Sequence, residues 1–215
     1  MPEFTPQFLT QGFIYYVVFL FSTTCHEAAH ALVAKWGGDN TAELGGQVSL
    51  NPIPHIRRSP YGMVVFPLLS FFLLNGGMIG FASAPYDPYW ARRHPHRSAF
   101  MALAGPATNF LLMLLGAFAL RAAIVLHLIE SGGFATELLF ALFSLNLLLG
   151  VFNLLPVPPL DGSSVVMLLM NEDRARSYLD WIRTGSFAMP GILVGLILFR
   201  YIFPPVQSFV QTLLL

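Results

Sequence analysis

Of 215 residues, 55% are hydrophobic and only 10% charged, the mean hydropathy is +0.65, and the net charge is zero. Soluble domains carry about 25% charged residues, so this composition argues against a soluble globule, and eleven basic residues scattered in short groups argue against a nucleic-acid surface. The single cysteine, Cys25, excludes an internal disulfide.

Met1–Thr10 contains Glu3 and no Lys or Arg, so it lacks the positive start of a cleaved secretory signal, and the first apolar run is expected to persist as a helix. A membrane-crossing helix needs roughly 20 mainly apolar residues. Four segments meet that length: Phe8–Trp36, Arg97–Leu126, Phe134–Met170 with a proline-rich break, and Ser186–Phe203. A fifth run, Tyr61–Phe81, is interrupted by Pro67 and by Asn75-Gly76-Gly77. Between the first two runs, Gly37–Ser59 has a short alternating stretch that predicts a small β-hairpin. Ala82–His96 is rich in proline, aromatics and arginine; Trp90, Tyr178 and Trp181 lie beside charged loops, as interfacial aromatics do. No linker divides the chain. The expected fold is a single all-α polytopic membrane domain over 1–215, with four to five transmembrane helices, a re-entrant segment and a small β-hairpin.

Orientation follows from the basic residues. Lys35, Arg57 and Arg58, then Arg92, Arg93 and Arg97, then Arg174, Arg176 and Arg183 mark three connections as cytoplasmic, whereas Leu128–Phe134 has Glu130 and no basic residue. The N-terminus is then outside, in a multi-pass protein of the plasma or inner membrane. This requires Tyr61–Phe81 to begin and end on one side, as a re-entrant segment shielded by protein does; the competing reading is an ordinary extra span.

His26-Glu27-Ala28-Ala29-His30 has the H-E-x-x-H pattern. On a helix, positions i and i+4 share a face, so both imidazoles reach one metal ion, and Glu27 stands near a water on that metal that it can deprotonate. Two histidines and a glutamate within one turn of an apolar helix are costly, which makes function the default reading over a polar helix end. A zinc hydrolase site takes three protein ligands. Asp161, after Val157-Pro158-Pro159-Leu160 and before Gly162, is the candidate for the third; the competing reading is a helix N-cap. His26 lies 18 residues after Phe8, which is roughly 27 Å of helix against a hydrocarbon core of about 30 Å. The metal is therefore expected in the cytoplasmic third of the membrane.

With Asn153-Leu154-Leu155-Pro156-Val157-Pro158-Pro159-Leu160-Asp161-Gly162 and Ala104-Gly105-Pro106-Ala107-Thr108-Asn109, the His-Glu-Ala-Ala-His pattern resembles the site-2 protease family of intramembrane zinc metalloproteases. Ser49-Leu50-Asn51-Pro52-Ile53-Pro54-His55-Ile56 is similar to a stretch common in small prokaryotic members. The resemblance covers roughly 8–170. It implies one zinc ion (Zn2+) per chain on His26, His30 and Asp161, with Glu27 as general base. It implies that Asn109, and with it Asn153, hydrogen-bonds the substrate backbone or the developing oxyanion; for Asn153, helix–helix hydrogen bonding stands as an equal alternative. The implied partners are a transmembrane protein substrate and the lipid bilayer, with no nucleic acid. An edge strand within Gly37–Ile56 would hold the unwound substrate.

Two departures stand out: Ser163 replaces a second glycine after Asp161-Gly162, and Ser83-Ala84-Pro85 lacks a lysine often found before Asp87. The spacing leaves no room for a PDZ domain between helices or a CBS domain at the end, so control by a regulatory partner or by prior trimming of the substrate stays open. The rival function is a non-proteolytic membrane protein, either an inactive scaffold or a metal transporter. Ionisable residues gathered at one depth, and the presence of Glu27, favour hydrolysis.

Overall fold

Thr5 caps the first helix by accepting a hydrogen bond from Phe8 N, and Pro6 sits where a missing amide hydrogen costs nothing. In the computed structural model, which describes residues 5–130, 132–184 and 186–215, α1 runs Pro6–Trp36 and ends at Gly37. Glu3 lies outside the described residues. Three more helices are long and apolar enough to cross a membrane: α6 (Pro95–Val125), α7 (Phe134–Asn153) and α10 (Ala188–Leu214). α6 packs against both α1 and α7, which also touch each other, and α10 lies along α7 and α6 at the edge of this group. Small residues allow the close approach: a Cβ at Gly116 of α6 would stand 2.8 Å from Phe143 N of α7.

α10 continues past the expected end at Phe203 and through Pro204-Pro205. In an apolar setting a broken helix exposes backbone groups that nothing else satisfies, which outweighs two missing amide donors. Conversely, the long run Phe134–Met170 is divided. α7 stops at Asn153, the chain turns through 154–160, and α8 (Asp161–Val165) leads into a 3-10 turn at Val166–Leu169.

The expected β-hairpin is absent, and the described residues contain no strand. Gly37–Ser59 instead holds two short helices, α2 (Thr41–Leu44) and α3 (Pro52–Arg58). Pro52 and Pro54 supply no amide donor for a ladder, and Asn51 caps α3 by accepting from Ile53 N. Buried His55 then ties the loop together by donating from Nε2 to Ser49 O, 2.9 Å away. With no strand, the edge expected to hold the substrate is also absent from this stretch.

The run 61–81 doubles back. A π-helical turn of five residues (Tyr61–Val65) and the eight-residue α4 (Phe66–Leu73) together measure about 20 Å, short of the roughly 30 Å needed to cross. Asn75 and Gly76, with φ of 51° and 98°, reverse the chain. On its return, Phe81 N donates to Gly62 O at 3.0 Å, and Arg58 Nε donates to Ser83 O at 2.9 Å. A Cβ at Gly62 would meet Phe81 O, so glycine is needed where the two limbs touch. Both ends of the segment therefore meet, while its tip stacks Phe71 on Phe8 at 4.5 Å. Cysteines introduced at Ser59 and at Ser83 are expected to react with a membrane-impermeant reagent from the same face, the cytoplasmic one. Reaction from opposite faces would make the segment a full span.

α5 (Pro88–Arg93), the start of α6 and α9 (Glu172–Thr184) gather at the Trp36 end of α1. Trp90 is buried there, and its Nε1 donates to Gly37 O at 2.9 Å. Asp39 accepts from Asp87 N at 2.8 Å, and Arg92 Nε meets Asp180 at 3.0 Å. The three basic connections thus form one end of the molecule.

Candidate active site

About two-thirds of the way along α1, His26, Glu27 and His30 are all buried against α6. α6 turns Gly105 towards them. A Cβ there would lie 2.4 Å from His26 Nε2 and 2.5 Å from His30 Nε2, so glycine leaves a cradle that any other residue would fill. From the far side, α8 brings Asp161. Its Oδ2 lies 3.1 Å from His26 Nε2 and 3.3 Å from His30 Nε2, and the two Nε2 atoms are 2.9 Å apart. Asp161 opens α8 at its first helical position, with Leu160 in the cap position, so its carboxylate is turned to the histidines and not to a helix end. Gly162 allows this, since a Cβ would stand 2.2 Å from Leu154 O. Ser163, in place of a second glycine, is buried and satisfied by donating to Leu160 O at 2.7 Å.

The outer ring nitrogens decide what the inner ones can do. His26 Nδ1 donates to Asn109 Oδ1 at 2.6 Å, and His30 Nδ1 donates to Met101 O at 2.7 Å. Both partners are oxygens that can only accept, so each Nδ1 carries a proton, and a ring that carries no second proton presents a lone pair at Nε2. With both rings in that form, three acceptors converge: two imidazole nitrogens and a carboxylate oxygen. Buried acceptors facing one another repel unless a cation lies between them. Ligands held about 2.0–2.1 Å from a tetrahedral centre stand roughly 3.3 Å apart, close to the separations seen here. Outer nitrogens that donate to fixed oxygens are also the usual support of metal-binding histidines.

Glu27 supplies a second carboxylate. One of its oxygens lies within 4.8 Å of the histidine ligand atoms, and its buried Oε2 has no hydrogen-bond partner. Two triads can thus be drawn, His26-Glu27-His30 and His26-His30-Asp161. The second fits a zinc ligand set better, because Asp161 Oδ2 is about equally close to both Nε2 atoms while Glu27 keeps an oxygen uncommitted. Two carboxylates gathered in one buried cluster also suit a divalent cation, which offsets their charge.

The chain matches Peptidase family M50, the site-2 protease family, over residues 14–137 and 123–193, a span that contains all these residues. It belongs to that family. Among similar proteins, YwhC of Bacillus subtilis (strain 168) is 33% identical over 70% of this chain and 66% of its own. Rip2 of Mycolicibacterium smegmatis is 30% identical over 88% of this chain and 70% of its own. Rip2 of Mycobacterium tuberculosis (strain ATCC 25618 / H37Rv) is 33% identical over 66% of this chain and 52% of its own. All three are named provisionally as zinc metalloproteases. The chain spans from about half to two-thirds of the length of these relatives. No solved structure matches it.

Of the site residues expected from sequence, the fold brings together His26, Glu27, His30, Asp161 and Asn109. Asn109 is fully buried and both ends of its amide are engaged, Oδ1 with His26 and Nδ2 with Asn146. Asn153 ends α7, partly exposed, and none of the cluster's hydrogen bonds reaches it. Sequence reasoning passed over Gly105 as a cradle and Asn146 altogether. Asn146 had a signal, an amide in the middle of the apolar run Phe134–Asn153 that has to find a partner.

Proposed function

We propose that this chain is an intramembrane zinc metalloprotease that hydrolyses peptide bonds in or near transmembrane helices of other membrane proteins. The observation that carries this is the convergence of His26 Nε2, His30 Nε2 and Asp161 Oδ2 beside the unpartnered Glu27 Oε2, inside a bundle of membrane-crossing helices. Membership of family M50 and the names of its relatives support it.

His26, His30 and Asp161 would hold one zinc ion. Held there, it would supply a Lewis acid for the scissile carbonyl and for the attacking water, whose pKa it would bring towards about 7. Glu27 Oε2 accepts the proton of the attacking water and returns it to the leaving amine nitrogen. Gly105 keeps the wall of α6 away from the cluster, and the Nδ1 contacts of His26 and His30 keep their lone pairs aimed inward. The substrate helix has to unwind before its amides can be reached, because an intact helix encloses them in its own hydrogen bonds.

The basic connections gathered at the Trp36 end of α1 support a cytoplasmic location for that end. The site then lies in the cytoplasmic part of the plasma or inner membrane, and substrates are cut towards their cytoplasmic ends. The reading is tested by reconstituting the purified protein in liposomes with a single-span substrate. Cleavage is expected nearer the cytoplasmic end of that span, stopped by a zinc chelator and restored by added zinc. Cleavage indifferent to the chelator, or confined to the outer end, would overturn it.

A further inference from the structure

His26 and His30 are held in register by different devices. His30 Nδ1 donates to a backbone oxygen, Met101 O, which has only one role. His26 Nδ1 donates to a side-chain amide oxygen, Asn109 Oδ1. An amide that turns by 180° presents its NH2 group instead. Asn109 turned that way would need a lone pair at His26 Nδ1, so the proton would move to Nε2. The atom facing His30 and Asp161 could then no longer bind a cation. Something has to decide which end of Asn109 faces His26.

We propose that Asn146 decides it, as a positioning residue that sets the tautomer of His26; its consequence for zinc rests on the metalloprotease reading, its geometry does not. Asn146 Nδ2 donates to Leu142 O and to Ser22 Oγ, each at 2.8 Å. Leu142 O is a backbone carbonyl that can only accept, so the nitrogen of the Asn146 amide must face it and Oδ1 must face the other way. Oδ1 can only accept as well, so Asn109 Nδ2 turns to it, at 2.9 Å. Asn109 Oδ1 is then left facing His26. A carbonyl on α7 thereby determines where the proton sits on an imidazole of α1, through one amide on each of α7 and α6. Ser22, Asn109 and Asn146 are all 0% exposed. No solvent competes for these bonds, and reversing any link would leave buried groups mismatched along the row. A network that only glued helices together would need hydrogen bonds but no fixed direction.

The test uses detergent-solubilised full-length protein with 15N-labelled histidine, metal-free and at alkaline pH, with the His26 signals assigned by their loss in His26→Gln. Wild type is expected to carry its His26 proton on Nδ1. Asn146→Leu removes the directing group, so the proton is expected to spread between Nδ1 and Nε2, and zinc affinity, measured by competition with a chelator, to fall by about tenfold to a hundredfold. Asn146→Asp is the second variant. Ionised, its oxygens still accept from Asn109; protonated, its hydroxyl serves Leu142 O while the other oxygen accepts. In either form His26 is expected to keep its Nδ1 proton, even where the protein unfolds more easily. Asn146→Leu with wild-type tautomer and zinc affinity, or Asn146→Asp with the proton moved, would overturn the proposal. If wild type bound no zinc, the metalloprotease reading would fall, and the tautomer comparison would still decide the part of Asn146.

Discussion

Glu27→Gln should abolish cleavage of a membrane substrate and leave zinc bound. The substitution keeps the shape of the side chain and removes its capacity to take a proton. General bases of this kind contribute about 10²–10⁴-fold to rate, so residual activity should fall below one per cent of wild type. Folding should not suffer, because the change replaces a buried carboxylate, 4% exposed and with one oxygen unpartnered, by a neutral amide. Zinc content should hold, because His26, His30 and Asp161 are untouched. Two measurements read the result: metal content of the purified protein, and cleavage of a reconstituted single-span substrate. A variant that still cleaves would remove Glu27 from the role of base. It would also remove the argument that separates a protease from an inactive scaffold or a transporter, since neither of those needs this carboxylate.

Asp161→Ala should do the reverse, losing the metal first and activity as a consequence. Removing a group that only supports a ligand weakens metal affinity by about 10–100-fold, and losing one of three ligands should exceed the upper end of that range. The loss should be local. α8 stays anchored by the fit of Gly162 against Leu154 O and by the Ser163 hydrogen bond to Leu160 O, neither of which involves the carboxylate. The pair of variants also decides between the two triads drawn above. Zinc lost in Asp161→Ala and kept in Glu27→Gln supports the set His26-His30-Asp161. Zinc kept in Asp161→Ala and lost in Glu27→Gln would make Glu27 the third ligand and leave hydrolysis without its base.

The parts of the fold that could be read from residue order rest on local physics. Apolar runs of some twenty residues have to become helices that cross a membrane, because no other backbone satisfies its own polar groups there; α1, α6, α7 and α10 were legible on that ground. The i, i+4 spacing of His26 and His30 places them on one face of any helix. Asp161 was legible because so few acids interrupt the apolar segments. The glycine- and proline-rich stretch before Arg58 was misread as a hairpin, since alternation over a few residues carries less weight than two prolines and a capping asparagine.

Which asparagine meets which partner is settled by helix packing. Asn109, Asn146 and Asn153 look alike as amides in apolar helices, and each has to find a partner. Which partner depends on where α1, α6 and α7 cross. That crossing seats Asn109 on His26, places Asn146 behind it, and leaves Asn153 at a helix end. It also makes Gly105 a cradle, a role visible only once two imidazoles lie against the missing side chain. The pairing of Gly62 with Phe81 belongs to the same class. Helix periodicity tells which residues share a face; contact between faces is set by packing across the whole bundle, and there a single hydrogen-bond direction passes through three helices.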